Sequence, residues 1–151
     1  MAREALFSRA PIPAANIHRM EAERPDVDAA AADYARALPD ALDLVLLGMG
    51  EDGHAASLFP GRADGDGKVM VVRDAPKPPP TRLSLTGRAI RAARQRLVVV
   101  TGAAKAAMLK QALAGPYDPV RIPVQVARDG VWLCDRAAAS LLRDLEDKDG
   151  G

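Results

Sequence analysis

Two apolar runs in this chain are nearly continuous: Leu42-Asp43-Leu44-Val45-Leu46-Leu47, ending at Gly48, and Leu97-Val98-Val99-Val100-Thr101, ending at Gly102. Strands read this way when a parallel sheet is covered on both faces, so both runs predict buried parallel strands. Val69–Val72 is a weaker third candidate. Ile122-Pro123-Val124-Gln125-Val126 and Val131-Trp132-Leu133 are two more, the former near an edge because Pro123 has no N–H for a ladder. Between them the period lengthens. Residues 28–38 are Ala-rich, with Asp28 placed to cap a helix and Pro39 to close it. Thr86 caps a second helix, through about Arg94, whose Ile90, Ala93 and Leu97 share a face. A third over 103–114 stops at Gly115-Pro116, and a fourth over 136–145 runs into the polar tail 146–151. Strands alternating with helices predict an α/β layer fold with a mainly parallel sheet. No repeat or linker interrupts it, so 1–145 is expected to be one domain and 146–151 its tail. Residues 62–68 read as a loop and 76–80 as a stiff, proline-rich extended segment.

Composition narrows the function more than the fold. Lys plus Arg number 21 against 20 Asp plus Glu, which gives no bulk reason for nucleic-acid or membrane binding. Aromatics at 3% are too sparse for a base-stacking platform. Arg82, Arg88, Arg91, Arg94 and Arg96 occur with no acid between them, which is either a nucleic-acid face or a solvated outer helix face. With the overall charge balanced, the solvated face is expected. No apolar run reaches a membrane span, and Cys134 is a lone cysteine, so a reducing cytoplasm is the expected setting.

The chemistry concentrates in Gly48-Met49-Gly50-Glu51-Asp52-Gly53-His54-Ala55-Ala56-Ser57-Leu58-Phe59-Pro60-Gly61. A buried strand leads into a glycine-rich turn and then, on the pattern, a short apolar helix. Ligands of open α/β sheets bind at such strand ends. Gly48, Gly50 and Gly53 also match the G-x-G-x-x-G fingerprint of dinucleotide sites, but Pro60-Gly61 leaves no room for the long helix that fingerprint needs. His54 is either a general base working near neutral pH or a solvent-facing residue at a helix start. Asp52 either orients it or caps that helix. Lys77 and Arg82, on the proline-stiffened stretch Pro76-Lys77-Pro78-Pro79-Pro80-Thr81-Arg82, suit a phosphate or carboxylate, or belong to a solvated linker. Lys105 opens a helix after a buried strand, where it can meet an anion or simply snorkel. Ser57 lacks the elbow of a hydrolase nucleophile, and two histidines and one cysteine, well separated, make no metal-ligand cluster.

The run from Leu44 to Gly61 resembles the 6-phosphogluconolactonases, of the glucosamine-6-phosphate isomerase/6-phosphogluconolactonase superfamily. The likeness continues through Pro76-Lys77-Pro78-Pro79-Pro80-Thr81-Arg82-Leu83-Ser84-Leu85-Thr86, Gly102-Ala103-Ala104-Lys105 and Pro11-Ile12-Pro13-Ala14-Ala15-Asn16-Ile17-His18. The deaminases of that superfamily follow the same turn with Asn-Glu-Pro. Here Phe59 stands where the glutamate would be, and a phenyl ring transfers no proton. The resemblance implies a three-layer α/β/α fold of the Rossmann-like sugar-phosphate isomerase type. It implies hydrolysis of a phosphorylated sugar lactone without metal or organic cofactor. His54 would be the base and Asp52 its partner, backbone N–H groups of the turn from Gly50 to Gly53 would steady the oxyanion, and Lys105 and Arg82 would hold the phosphate, with Lys77 nearby. The family's Gly-Gly-Ser-Thr-Pro phosphate turn and Asp-Glu-Arg segment do not occur here. The chain is therefore expected to be the C-terminal part of the fold, with the N-terminal part missing. The uncovered sheet is expected to self-associate or to pair with a complementary N-terminal half.

Overall fold

In the computed structural model, which describes residues 3–142, the two long apolar runs lie side by side. The strands are β1 (Leu44–Gly48), β2 (Val69–Val72), β3 (Arg82–Leu85), β4 (Gln95–Val100) and β5 (Val131–Cys134). The α-helices are α1 (Val27–Ala37), α2 (Gly87–Ala92) and α3 (Ala106–Ala114). β1, β4 and β5 form a parallel sheet in the order β1-β4-β5, and β2 and β3 an antiparallel hairpin. The register runs Leu46↔Leu97↔Val131 and Leu47↔Val98↔Trp132, so each row alternates between the two faces of the sheet.

One face is the core. Val45, Leu47, Val98 and Val100 point into it and meet Ile90 of α2, Leu109 and Ala112 of α3, and Val124 and Val126. Ile90, Leu109, Val98 and Val124 are almost wholly buried, and each such side chain stabilises the fold by about 1.5–3 kcal/mol. Among the described residues no element covers the opposite face. Leu44 is 53% exposed, Leu46 65%, Val131 61% and Leu133 52%. The α/β class and the parallel sheet are as expected, but among the described residues helices cover only one of the sheet's faces. α1 packs instead on the hairpin, where Ala30 and Ala31 meet Leu83, Val69 and Val71.

Several local expectations need correction. α1 is capped by Asp26, whose side chain accepts from the Ala29 amide at 2.9 Å, and not by Asp28, which pairs with Arg73 at 2.7 Å. The Thr86 cap is as expected, its hydroxyl accepting from the Ala89 amide, but α2 stops at Ala92 and Leu97 belongs to β4. Residues 122–126 are not a strand. Pro123–Ala127 is a buried 3₁₀ turn, because a proline at the first helical position loses no hydrogen bond there. Its Gln125 amide donates to the Ala112 and Pro116 carbonyls and accepts from the Asp118 amide, which seals the end of α3. Of the last expected helix only the 3₁₀ turn Ala138–Leu141 forms among the described residues. Its remainder and the tail, 143–151, lie outside them.

Candidate active site

β1 ends at Gly48 and the chain closes on itself. The Gly53 amide donates to the Gly50 carbonyl at 3.1 Å and the Gly50 amide to the His54 carbonyl at 2.8 Å. Gly53 takes φ +83°, a conformation that favours glycine, and its carbonyl accepts from the Val124 amide at 2.9 Å. The turn is thereby fastened to the core. The Gly50 and Gly53 amides are spent inside it, so of the turn's N–H groups expected to steady an oxyanion these two do not fit the role. Gly50 supplies room instead: a Cβ there would overlap the His54 ring and the Asp52 carboxylate.

Asp52 and His54 form a pair. Asp52 Oδ1 lies 2.5 Å from His54 Nδ1 and also accepts the His54 amide at 3.2 Å. An Nδ1–H held on the carboxylate leaves Nε2 as the free lone pair, which is the tautomer a general base requires. Burial works to raise the Asp52 carboxyl, but the hydrogen bonds from the His54 ring and amide outweigh it and hold the group below the ordinary carboxylate range. No helix follows. Ala55 and Leu58 face each other across a tight turn with Ala56 at φ +52°, so Asp52 caps nothing and His54 is not a helix-start residue. Without that helix the glycines also lack the context of a dinucleotide site. Ser57 is buried, and its amide donates to Ser84 Oγ of β3 at 3.0 Å.

Lys105 comes to the same end of the sheet, on the 3₁₀ turn Ala103–Lys105 after β4. Its ammonium lies 3.9 Å from Glu51, next to the Asp52–His54 turn. Asp135, which the sequence reading passed over, sets that turn. Both its carboxylate oxygens accept the Gly102 amide at 3.1 Å, and Oδ1 also accepts the Ala138 amide at 2.7 Å. An acid immediately after a strand, at the sheet's carboxyl edge, was the available signal.

Arg82 reaches the site through Phe59. Its guanidinium carbon lies 5.7 Å from the centre of the Phe59 ring, and the His54 ring lies 5.1 Å from the same ring. Arg82 Nε and Nη2 donate to the carbonyls of Pro79, Lys77 and Pro78 at 2.6–2.9 Å, and Nη1 has no hydrogen-bond partner among the described residues. Lys77 is the outlier. Its carbonyl serves Arg82, while its side chain is exposed on the outer loop without a partner among the described residues. The other arginines of the basic run bind separate groups: Arg88 the Asp66 carbonyl, and Arg91, Arg94 and Arg96 the carboxylates of Asp64, Asp43 and Asp129. A cavity of about 530 Å³ backs onto Ser57, Leu58 and Phe59, but none of Asp52, His54, Lys77, Arg82 or Lys105 lines it. Chemistry rather than concavity locates the site.

A parallel sheet with a carboxylate–imidazole pair and a lysine beyond its strand ends is an α/β protein whose polar side chains gather where such sheets bind ligands. Residues 1–134 match the family of glucosamine-6-phosphate isomerases and 6-phosphogluconolactonase, and the chain belongs to that family. It is 39% identical to 6-phosphogluconolactonase of Rattus norvegicus and 40% identical to that of Streptomyces coelicolor, each over 93% of this chain. It spans 59% and 62% of those relatives' own lengths. Among solved structures it superposes on the devB protein with a TM-score of 0.81 at 34% identity, covering 92% of this chain and 64% of that one. A monomeric glucosamine-6-phosphate deaminase shares the fold, with a TM-score of 0.80 at 20% identity over 93% of this chain and 65% of that one.

Proposed function

We propose that this domain carries the catalytic turn of a 6-phosphogluconolactonase, opening a phosphorylated sugar δ-lactone to its acid. The observation that carries the reading is the Asp52–His54 pair, with Nδ1 on the carboxylate and Nε2 without a partner among the described residues. His54 takes a proton from water as that water attacks the lactone carbonyl and returns it to the ring oxygen as the acyl C–O bond breaks, a contribution typically of 10²–10⁴-fold. Asp52 fixes the tautomer and steadies the imidazolium that forms. Lys105 and Nη1 of Arg82 hold the phosphate. Lys77 reaches it only if its loop folds inward.

The bare sheet face supports a second part of the proposal. A parallel sheet is stable when both faces are covered. Leu44, Leu46, Val131 and Leu133 are taken to receive a further layer of the family's domain, from residues beyond these 151 on the same or a separate polypeptide. Self-association through the same face is the competing arrangement. The lone Cys134 suits a reducing compartment such as the cytoplasm.

Ligand-dependent stability tests the substrate class. 6-Phosphogluconate at a hundred times its Kd should stabilise the chain by about 2.7 kcal/mol, an effect that gluconate lacking the phosphate should not produce. Lys105→Ala should abolish most of it. Equal stabilisation by both compounds, or no dependence on Lys105, contradicts the phosphate assignment.

A further inference from the structure

Phe59 enters the sequence reading only as the residue that is not a glutamate, yet three groups converge on its ring. His54 lies 5.1 Å away with the rings tilted by 41°, Arg82 5.7 Å away and Arg62 6.0 Å away, the last two measured to the guanidinium carbons. Phe59 is only 3% exposed. The backbone on either side is fastened: the Ser57 amide by Ser84 Oγ, the Leu58 amide by the Ala55 carbonyl, and the Phe59 carbonyl by the Arg62 amide.

His54 shows why such a ring is needed. Among the described residues its ring makes one hydrogen bond, from Nδ1 to Asp52. An imidazole held at one atom can still swing about that bond and carry Nε2 away from a bound lactone. A second contact on the ring removes that freedom. Arg82 poses the same problem from the other side, because its three carbonyl partners lie on an exposed proline loop. An aromatic ring attracts a guanidinium or an imidazolium electrostatically, and the attraction strengthens when the ring is shielded from water.

We infer that Phe59 is a positioning residue that holds His54 and Arg82 at a fixed separation. It thereby sets the span between the attacking base and the phosphate-holding cation. The inference rests on the lactonase reading for the meaning of that span, but the placement of the His54 ring is measured without turnover. The ring touches no reacting atom and does no chemistry. It makes one geometry out of two side chains carried by separate segments.

The test uses the whole chain in a His18→Gln background, so that the histidine resonances belong to His54. Nitrogen-resolved NMR should show one neutral tautomer, with a slowly exchanging Nδ1 proton and Overhauser contacts from the Phe59 ring to His54. Phe59→Met keeps the bulk and removes the ring. It should lose the slow Nδ1 proton and average the tautomers, and Phe59→Tyr should restore both. In turnover the methionine variant should lower kcat at least about tenfold and raise KM several-fold, since both ends of the substrate lose their register. A methionine variant that keeps the wild-type tautomer and exchange rate overturns the inference. So does a wild-type spectrum without the Phe59–His54 contacts, which decides the matter even if the variant does not fold. A wild-type chain that shows these signals but opens no lactone counts against the lactonase reading and leaves Phe59 in its role.

Discussion

Gly50→Ala is the sharpest perturbation the geometry offers. A Cβ at this position would overlap His54 Nδ1 and Cε1 and Asp52 Oδ1, and meets nothing else as closely. All three are outer atoms of side chains, so the backbone has no reason to move. The imidazole and carboxylate must separate. Asp52 is 44% exposed and regains water when released, so the stability lost should be about 1 kcal/mol, within the range for partly exposed charged pairs. For a domain of this size that lowers Tm by about 2–4 °C. The chemistry should lose far more. A base no longer held in one tautomer forfeits most of the general-base contribution, so kcat for lactone opening should fall by about 10²-fold with little change in KM. The assay is pH-stat titration of the acid released from freshly made 6-phosphogluconolactone, with the spontaneous rate in buffer subtracted. Gly53→Ala is the control. Its φ of +83° and its tight contacts with Met108 and Ile122 predict about 1–2 kcal/mol of lost stability, with the Asp52–His54 pair intact. Full activity in Gly50→Ala, or a loss of activity in Gly53→Ala as large as that in Gly50→Ala, would refute the reasoning.

Other perturbations separate the remaining claims. The Asp52 carboxyl is depressed in the folded chain, so its stabilisation is complete above the ordinary carboxylate pKa and is lost as pH falls through the folded value. Denaturant titrations should therefore find Asp52→Asn up to about 1 kcal/mol less stable at neutral pH and equal to wild type in acid, whereas a pH-independent gap would contradict the assignment. Ala56 holds φ +52° without being glycine, and Ala56→Gly should raise stability by about 0.5–1 kcal/mol; a lower Tm would show that the turn is unstrained. On the bare face, Leu46→Lys and Leu133→Glu should each change stability by no more than about 0.5 kcal/mol while reducing association seen in sedimentation. A large loss of stability would mean that the face is already covered.

Much of the fold was legible because burial writes itself into the sequence as period. β1 and β4 are continuous apolar runs, and Thr86 and Gly115 mark the helix start and end they suggest. β3 was not read as a strand: Leu83 and Leu85 alternate with Arg82 and Ser84 and pair with Val71 and Val69, but the prolines before it hid the signal. Residues 122–126 misled because a short apolar stretch has no period of its own, and the proline favoured a helical turn as much as a strand edge. The bare face could not be read from β1 itself, whose Leu44 and Leu46 are as apolar as its buried Val45 and Leu47. In the site, Asp52 and His54 were visible as neighbours, whereas their hydrogen bond was one of two open possibilities. Phe59 and Asp135 were invisible as participants because each acts across segments far apart in the chain.

The central claim is that His54, oriented by Asp52, activates water against a phosphorylated lactone. The most direct measurement is the rate of 6-phosphogluconolactone opening by the folded chain at neutral pH, beside His54→Ala and buffer alone. The account predicts a rate above buffer that falls to the buffer value, or within a few-fold of it, when the imidazole is removed. A His54→Ala chain that opens the lactone as fast as the wild type would contradict it.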